Sequence, residues 1–184
     1  MGDVRFTGNW NSVNAHTVPK WYDDCKIWTF IHWGIIPCRH FAPHTWELGE
    51  VDSKEWFADN PYAEWYYNSL NIGKGPTYKH HIEKYGKDFK YEDFIPMWKA
   101  ENWDPKQWAE IFKEAGAEYV VLTTKHHDGF CLFPSKYTHF NSVEMGPKRN
   151  ITGELTEAVR DAGIRMGLYY SGLIDWQYAN DPIF

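Results

Sequence analysis

The side chains best suited to chemistry in this sequence are histidines that follow short apolar segments. His126 and His127 come directly after the run Tyr119–Lys125, and His32 follows a similar run that begins at Ile27. Neutral imidazole is a common zinc ligand, so these histidines could serve a metal-dependent hydrolase. They show neither a His-x-His nor a His-Glu-x-x-His spacing, and no carboxylate stands at ligand spacing on the first run. The metal interpretation is therefore open but not favoured.

Parallel strands and helices are predicted to position these histidines. The segments Ile27 to Trp33, Tyr119 to Lys125 and Met166 to Tyr170 are short, apolar and rich in β-branched or aromatic residues, as buried strands are. Apolar residues at helical spacing predict helices over Pro105 to Ala115 and Gly153 to Ala162. Repeated helix–strand units predict a parallel sheet, open or closed into a barrel, with its strands adjacent in chain order. The carboxyl ends of such strands carry the site in α/β proteins.

A long irregular passage, residues 37–103, separates the first strand from the first of these helices. Loops of that length are uncommon unless they are functional, so we interpret it as an elaborated first βα connection that lies over the site. Short helices are expected within it near Pro61 to Leu70 and Tyr91 to Lys99. Because no low-complexity stretch or interdomain linker is visible, residues 1–184 are predicted to form one domain.

Composition narrows the classes of partner. The net charge is −6 and no basic run is long enough to follow a phosphate backbone, so nucleic acid is not an expected partner. No segment approaches the roughly 20 apolar residues of a membrane span, and the start lacks a signal peptide. With three cysteines at no metal-ligand spacing, we expect reduced thiols, no cofactor and a cytoplasmic protein. The aromatic content of 18% suits a surface that stacks on sugar rings, and equally a large aromatic core.

Several segments resemble, in order, the motifs of the glycoside hydrolase family of α-L-fucosidases. The segment Thr123 to Phe130, with its His-His-Asp-Gly-Phe sequence, is very specific. The resemblance implies an α/β fold, the N-terminal part of a (β/α)8 TIM-like barrel with about three βα units. It also implies a retaining mechanism and terminal α-L-fucose as the sugar. The other matching segments are Phe30 to Gly34, Ala63 to Tyr66, Ser135 to Thr138 with Asn141 and Ser142, Gly146 to Arg149, and Gly167 to Ser171.

By motif match, the resemblance implies a fucose pocket in which side chains bond the sugar hydroxyls and pack on its methyl group and ring. The implied pocket residues are His32, Glu64, Trp65, His126, His127 and Tyr169. The family's nucleophile and acid/base are expected beyond residue 184, so no catalytic residue is expected in this chain. Because known barrels need at least roughly 200 residues, we interpret the chain as the N-terminal half of a fucosidase or a truncated homologue, inactive alone. Its expected partners are a fucosylated glycan or fucoside and either a C-terminal half or further copies of itself.

The carboxylates leave alternatives open beside this resemblance. A retaining glycosidase needs two carboxyl groups roughly 5 Å apart, for which Glu64, Asp128 and Asp175 are the candidates in this chain. Asp128 precedes Gly129, and a short carboxylate in such a turn usually caps backbone N–H groups. Without a nucleophile strand, a non-catalytic sugar-binding fragment is the alternative function. A metal-dependent barrel hydrolase is a further one.

Side-chain alternation sets two more expectations. His126 and His127 would face opposite sides of a regular strand, so both can meet one ligand only if the strand ends there and the backbone turns. On the third strand, Gly167, Tyr169 and Ser171 share a face whose small residues suggest a crowded barrel interior. Tyr169 is then expected at the sugar-facing rim, and Tyr170 is expected to pack under helices.

Overall fold

A parallel three-stranded sheet forms the centre of the protein. The computed structural model describes residues 6–35, 41–44, 55–178 and 182–183. Strands β1 (Trp28–Ile31), β2 (Tyr119–Lys125) and β3 (Arg165–Tyr170) lie in the order β1-β2-β3, and both neighbouring pairs are parallel. The predicted positions, order and direction of the three strands are thereby confirmed. The protein is an α/β structure whose strands all end at the same edge.

Two short helices, α1 (Trp10–Asn14) and α2 (Lys20–Asp24), precede β1. The side chain of Asn9 accepts a hydrogen bond from the backbone N–H of Ser12 and so caps α1. Neither helix contains a buried residue. The rings of Trp21 and Tyr22 in α2 contact the ring of Tyr119 in β2, and helices this short show no helical periodicity in the sequence.

The described part of the first connection is largely helical. A 3₁₀-helix (Ala63–Trp65) runs into α3 (Tyr66–Ile72), α4 (Gly75–Tyr85) follows, and a second 3₁₀-helix covers Tyr91–Met97. The helices expected near residues 61–70 and 91–99 are therefore confirmed. Residues 37–40 and 45–54 of this connection lie outside the described residues.

Helix α4 was not predicted, because it begins among residues that normally indicate a loop. Gly75 has a φ of +90°, and Pro76 follows it in the first turn. A Cβ atom at Gly75 would lie 2.1 Å from the backbone oxygen of Ala58, so glycine is needed for a close approach as well as for its backbone angle. The glycine marks a tight junction between two segments of the connection.

Helices α5 (Pro105–Glu114) and α6 (Ile151–Asp161) precede β2 and β3 and lie close to their predicted positions. The side chain of Asp104 caps α5 by accepting hydrogen bonds from backbone N–H groups of its first turn, and Pro105 is the first residue of the helix. Asn150 caps α6 in the same way, by accepting from the backbone N–H of Gly153. No helix in the described parts of the chain has the length and apolar character needed to cross a membrane.

The two faces of the sheet differ in burial. Val120 and Leu122 of β2 belong to one fully buried cluster with Leu155 and Val159 of α6. On the opposite face, Trp28 and Phe30 of β1 are 51% and 40% exposed. We call this the open face of the sheet; it carries Trp28, Phe30, Tyr119, Val121, Gly167 and Tyr169.

Candidate functional site

The ends of β1 and β2 bring three histidine rings together. β2 ends at Lys125 and the chain turns, with a φ of +83° at Gly129. The rings of His126 and His127 therefore lie side by side, with their centroids 4.1 Å apart. The ring of His32, just after β1, has its centroid 5.4 Å from that of His126. The condition under which both adjacent histidines could meet one ligand is thus fulfilled.

The other residues of the expected pocket come from β3 and the first connection. The ring centroid of Tyr169 is 6.5 Å from that of His126. Trp65 lies in the 3₁₀-helix, and its ring centroid is 5.5 Å from that of His127. Glu64 precedes Trp65, is partly exposed, and makes no hydrogen bond or ion pair with a described residue. The structure joins all these aromatic rings through contacts, and Glu64 directly precedes one of them in the chain.

Trp176, which sequence reasoning missed as a site residue, lies among these rings. It is 1% exposed and follows β3, and its ring centroid is 5.3 Å from those of both His127 and Trp65. Its backbone N–H donates a 2.7 Å hydrogen bond to the carbonyl of His127. The only sequence signal for this role is its position shortly after the third strand.

A buried polar network lies beside the histidines. The ammonium of Lys125, a residue that is 5% exposed, lies 2.9 Å from a carboxylate oxygen of Asp175. The same ammonium donates a 2.9 Å hydrogen bond to the carbonyl of Ser171. The hydroxyl of Ser171 lies 2.6 Å from Nδ1 of His127. Sequence reasoning did not find this network, because its members are joined only by the pairing of β2 with β3.

Both adjacent histidines are neutral at ordinary pH. The pKa of His126 is lowered from 6.5 to about 3, first by burial and then by the neighbouring His127, His32 and Lys125. The pKa of His127 is also lowered, first by burial and then by Lys125 and His32. Neutral imidazoles can both donate and accept hydrogen bonds, which suits a ligand rich in hydroxyl groups.

Asp128 has a structural role, as expected from its place before a glycine. One carboxylate oxygen accepts a 3.2 Å hydrogen bond from the backbone N–H of Phe130, and the other accepts a 2.8 Å bond from the hydroxyl of Tyr91. Burial raises the pKa of Asp128 to about 6, although both hydrogen bonds act in the opposite direction. Asp128 thus ties the end of β2 to the second 3₁₀-helix of the first connection.

The expectation that Tyr170 packs under helices is wrong. Tyr170 is 57% exposed, and the ammonium of Lys125 lies 5.1 Å from the centre of its ring. In the described sheet, β3 has a neighbouring strand on one side only. On this face of β3, Met166 packs against the core but Leu168 is 56% exposed, so helix cover ends before Tyr170 is reached.

The described residues contain no group of three or more histidine, cysteine, aspartate or glutamate side chains placed to hold a metal ion. What they do assemble is a set of hydrogen-bonding groups next to flat aromatic surfaces. Neutral imidazoles and a free carboxylate can bond hydroxyl groups, while an indole offers a face for an apolar ring surface. This combination suits a monosaccharide.

A sequence model described as Alpha-L-fucosidase matches residues 2–181. This chain belongs to the alpha-L-fucosidase family. The predicted resemblance is thereby confirmed. Among curated relatives, the alpha-L-fucosidase of Dictyostelium discoideum is 39% identical over 176 residues, and the plasma alpha-L-fucosidase of Homo sapiens is 39% identical over 183 residues.

Solved structures of alpha-L-fucosidases share the fold of this chain. A Thermotoga maritima alpha-L-fucosynthase in complex with alpha-L-Fuc-(1-2)-beta-L-Fuc-N3 is 54% identical, with a TM-score of 0.92 over 98% of this chain. A Thermotoga maritima alpha-fucosidase in complex with fucose is 51% identical, with a TM-score of 0.87 over 97% of this chain.

The chain spans only part of these family members. It covers 34% of the length of the Dictyostelium and human relatives, which align with 94% and 98% of this chain respectively. It covers 41% and 40% of the two Thermotoga chains. The described site therefore corresponds to one part of a longer alpha-L-fucosidase.

Proposed function

We propose that this chain supplies the fucose-binding part of an α-L-fucosidase, a retaining glycosidase that removes terminal α-L-fucose from glycoconjugates. The observation that carries the proposal is the meeting of three histidine rings with Trp65 and Tyr169 at the strand ends. The family membership of the chain supports it. So does the fucose held by a 51% identical Thermotoga enzyme.

The proposed roles follow from the chemistry of each side chain. His32, His126 and His127 bond the sugar hydroxyls, and the lowered pKa values of the latter two keep their imidazoles uncharged. The free carboxylate of Glu64 accepts a hydrogen bond from a further hydroxyl. The indole of Trp65 packs on an apolar face of fucose. Tyr169 closes the pocket from β3. No cofactor takes part.

We further propose that the three strands are the first units of a (β/α)8 barrel, with residues 1–184 in one domain and residues 37–103 as its first βα connection. Half-exposed aromatic residues on the open face support this proposal, because the interior of a barrel is filled by side chains from all its strands. A C-terminal half would provide the remaining strands. A cytoplasmic location is part of the proposal and is testable by cell fractionation.

The catalytic carboxyl pair is proposed to come from outside these 184 residues. Retention requires two carboxyl groups roughly 5 Å apart, one to attack and one to transfer the proton. Near the site, Asp128 is bound to Tyr91 and to the Phe130 backbone, and Asp175 is paired with Lys125. Of these three candidate carboxylates, Glu64 is the one with no bond to a described residue, and one carboxylate cannot perform both steps.

Calorimetric titration with L-fucose tests the binding role. Replacing Glu64 with Gln, or Trp65 with Ala, should weaken binding about tenfold or more, which corresponds to roughly 1.4 kcal/mol. The matched controls are Glu157→Gln on the exposed side of α6 and Trp28→Ala at the start of β1, and neither should change the affinity. Equal losses in the site variants and the controls would refute the proposed pocket.

An aryl α-L-fucoside assay tests the catalytic assignment. We expect no turnover from the 184-residue chain alone, and turnover once the missing strands are supplied by co-expression of a C-terminal half. Turnover by the chain alone that disappears in Glu64→Ala or Asp128→Ala would show that its own carboxylates are catalytic and that our assignment is wrong.

A further inference from the structure

Lys125 is a buried cation whose contacts lie entirely beside the proposed pocket. Its ammonium is 2.9 Å from Asp175 Oδ2 and 2.9 Å from the carbonyl oxygen of Ser171. A buried ammonium is strongly unfavourable unless it is paired and hydrogen-bonded. Because Lys125 closes β2 while both partners follow β3, its contacts fix the segment after β3 against the end of β2.

Further contacts hold the same segment in place. The backbone N–H of Ser171 donates a 3.0 Å hydrogen bond to the carbonyl of Lys125, and Asp175 Oδ1 accepts from the backbone N–H of Gln177. Asp175 also fits closely against Gly129, where an added Cβ atom would lie 2.7 Å from Asp175 Oδ1. The position of Ser171 is therefore determined from several directions.

The hydroxyl of Ser171 connects this framework to a histidine of the pocket. Ser171 Oγ lies 2.6 Å from His127 Nδ1 and donates its own hydrogen to the carbonyl of Ile174, at 3.4 Å. A hydroxyl has one hydrogen to give, so when that hydrogen is directed to Ile174, the His127 contact requires Nδ1 to carry a proton and donate it to Ser171 Oγ. Nε2 of His127 is then an acceptor.

We propose that Lys125, Ser171 and Asp175 are positioning residues that hold His127 in its Nδ1-protonated form, with Nε2 left to accept a hydrogen bond from a hydroxyl of the bound sugar. The part that concerns the sugar rests on the proposed function. These residues act through the hydrogen bond at Nδ1, the ring nitrogen that does not contact the sugar. A hydrogen bond at the second nitrogen of a metal-bound imidazole fixes its tautomer in the same way. Asp175 therefore serves the site without being a catalytic carboxylate.

The neighbouring histidine provides an internal contrast. Nδ1 of His126 is buried and has no hydrogen-bond partner among the residues that the structure describes. The two rings are 4.1 Å apart and share the lowering effect of Lys125 on their pKa values, but of the two only His127 contacts Ser171 Oγ through Nδ1. An effect of the network should appear at His127 and not at His126.

Nitrogen-15 spectra of histidine side chains in the 184-residue chain test the proposal without any ligand. In the unmodified chain, His127 should show a protonated Nδ1 and an unprotonated Nε2. Ser171→Ala should shift His127 towards the Nε2-protonated form, Ser171→Thr should restore the original form, and Ser135→Ala should leave it unchanged. A His127 that is Nε2-protonated in the unmodified chain, or unaffected by Ser171→Ala, would overturn the proposal.

The anchoring role of the ion pair is tested separately from the role of the hydroxyl. Asp175→Asn keeps an oxygen for the ammonium but removes the charge, and Lys125→Met removes both the charge and the donors. Each variant should give a mixture of both tautomers at His127, with the larger change in Lys125→Met. If Lys125→Met does not fold, the spectrum of Asp175→Asn alone tests the anchoring role. An unchanged His127 spectrum in a folded Asp175→Asn variant would refute the anchoring role.

Fucose titrations of the same variants separate this inference from the proposed function. Ser171→Ala should weaken L-fucose binding about tenfold, and Ser171→Thr should recover most of the loss. If the unmodified chain shows the expected tautomer but binds no fucose, the proposed function fails while the positioning of His127 stands. If it binds fucose and Ser171→Ala binds equally well, the positioning role in binding is wrong and the proposed function stands.

Discussion

At the carboxyl ends of the strands the structure buries polar side chains, whereas at the amino ends it leaves aromatic side chains partly exposed. Lys125, His126 and Ser171 at the carboxyl ends are each less than a tenth exposed. At the amino ends, Trp28 is half exposed and its ring stacks on Tyr119 with centroids 5.5 Å apart and planes 3° from parallel. One end of the sheet thus holds groups that can bind, and the other holds rings that stack on one another.

This difference separates function from stability. Burial of a lysine and of an imidazole nitrogen without a partner is unfavourable for folding, and such arrangements are found where α/β proteins build their sites. Stacked aromatic rings at the amino ends contribute stability through ring–ring contacts. We therefore expect changes at the carboxyl ends to alter binding or pH dependence, and changes at the amino ends to alter stability alone.

The largest expected effect is a pH dependence that originates at Asp128. Burial raises its pKa from 3.8 to about 6, so the unfolded chain releases the proton near pH 4 and the folded chain only near pH 6. The folded protein binds more protons in that window, and its stability should fall as the pH rises through it, by at most about 3 kcal/mol. Asp128→Asn lacks this titration.

Urea unfolding of both proteins, from below pH 4 to above pH 6, isolates the contribution of Asp128, because all other titrating groups are shared. Relative to Asp128→Asn, the unmodified chain should become less stable over that range. A stability difference that does not vary with pH would show that the folded protein does not raise the pKa of Asp128.

A smaller effect is expected at the amino ends. Trp28→Ala removes the stacking on Tyr119 and an edge contact with Phe30, and should lower the free energy of unfolding by roughly 1 to 2 kcal/mol. The affinity for L-fucose should not change, because Trp28 lies at the opposite end of the strand from His32. A loss of affinity without a loss of stability would contradict the separation of the two ends.

The smallest effect concerns Arg165, at the start of β3. Its guanidinium lies 4.5 Å from the ring centre of Trp21, and such contacts at exposed positions contribute roughly 0.5 to 1 kcal/mol. Arg165→Gln should lower the unfolding free energy by about that amount and Arg165→Lys by less. If Arg165→Gln abolishes fucose binding, the amino ends are not purely structural.

The sequence was most informative where local chemistry determines local structure. The strands could be predicted because each is a short run rich in apolar and aromatic residues, and α5 because Asp104 and Pro105 mark its start. Helix α4 was missed because a glycine followed by a proline normally indicates a loop. Here Gly75 is needed for its close approach to the backbone of Ala58, which the local sequence does not reveal.

The site was predictable only in part, because some of its contacts also join segments that are distant in the sequence. The resemblance to the family implied six pocket residues, and the structure brings the rings of five of them together: His32, Trp65, His126, His127 and Tyr169. Trp176 and the contact between Lys125 and Asp175 depend on how β3 lies against β2, and no local pattern encodes them. Tyr170 was placed wrongly because strand alternation says which way a side chain points, but not whether a helix covers it.

The central claim is that fucose binds at the carboxyl ends of these strands. Histidine side-chain spectra of the 184-residue chain, recorded during a titration with L-fucose, test it most directly. The expected result is a saturable shift of the signals of His32, His126 and His127, with no response to D-fucose and none from the distant histidines His16, His81 and His139. Saturable shifts confined to those distant histidines, or no shift at a fucose concentration that saturates a calorimetric titration, would contradict the account.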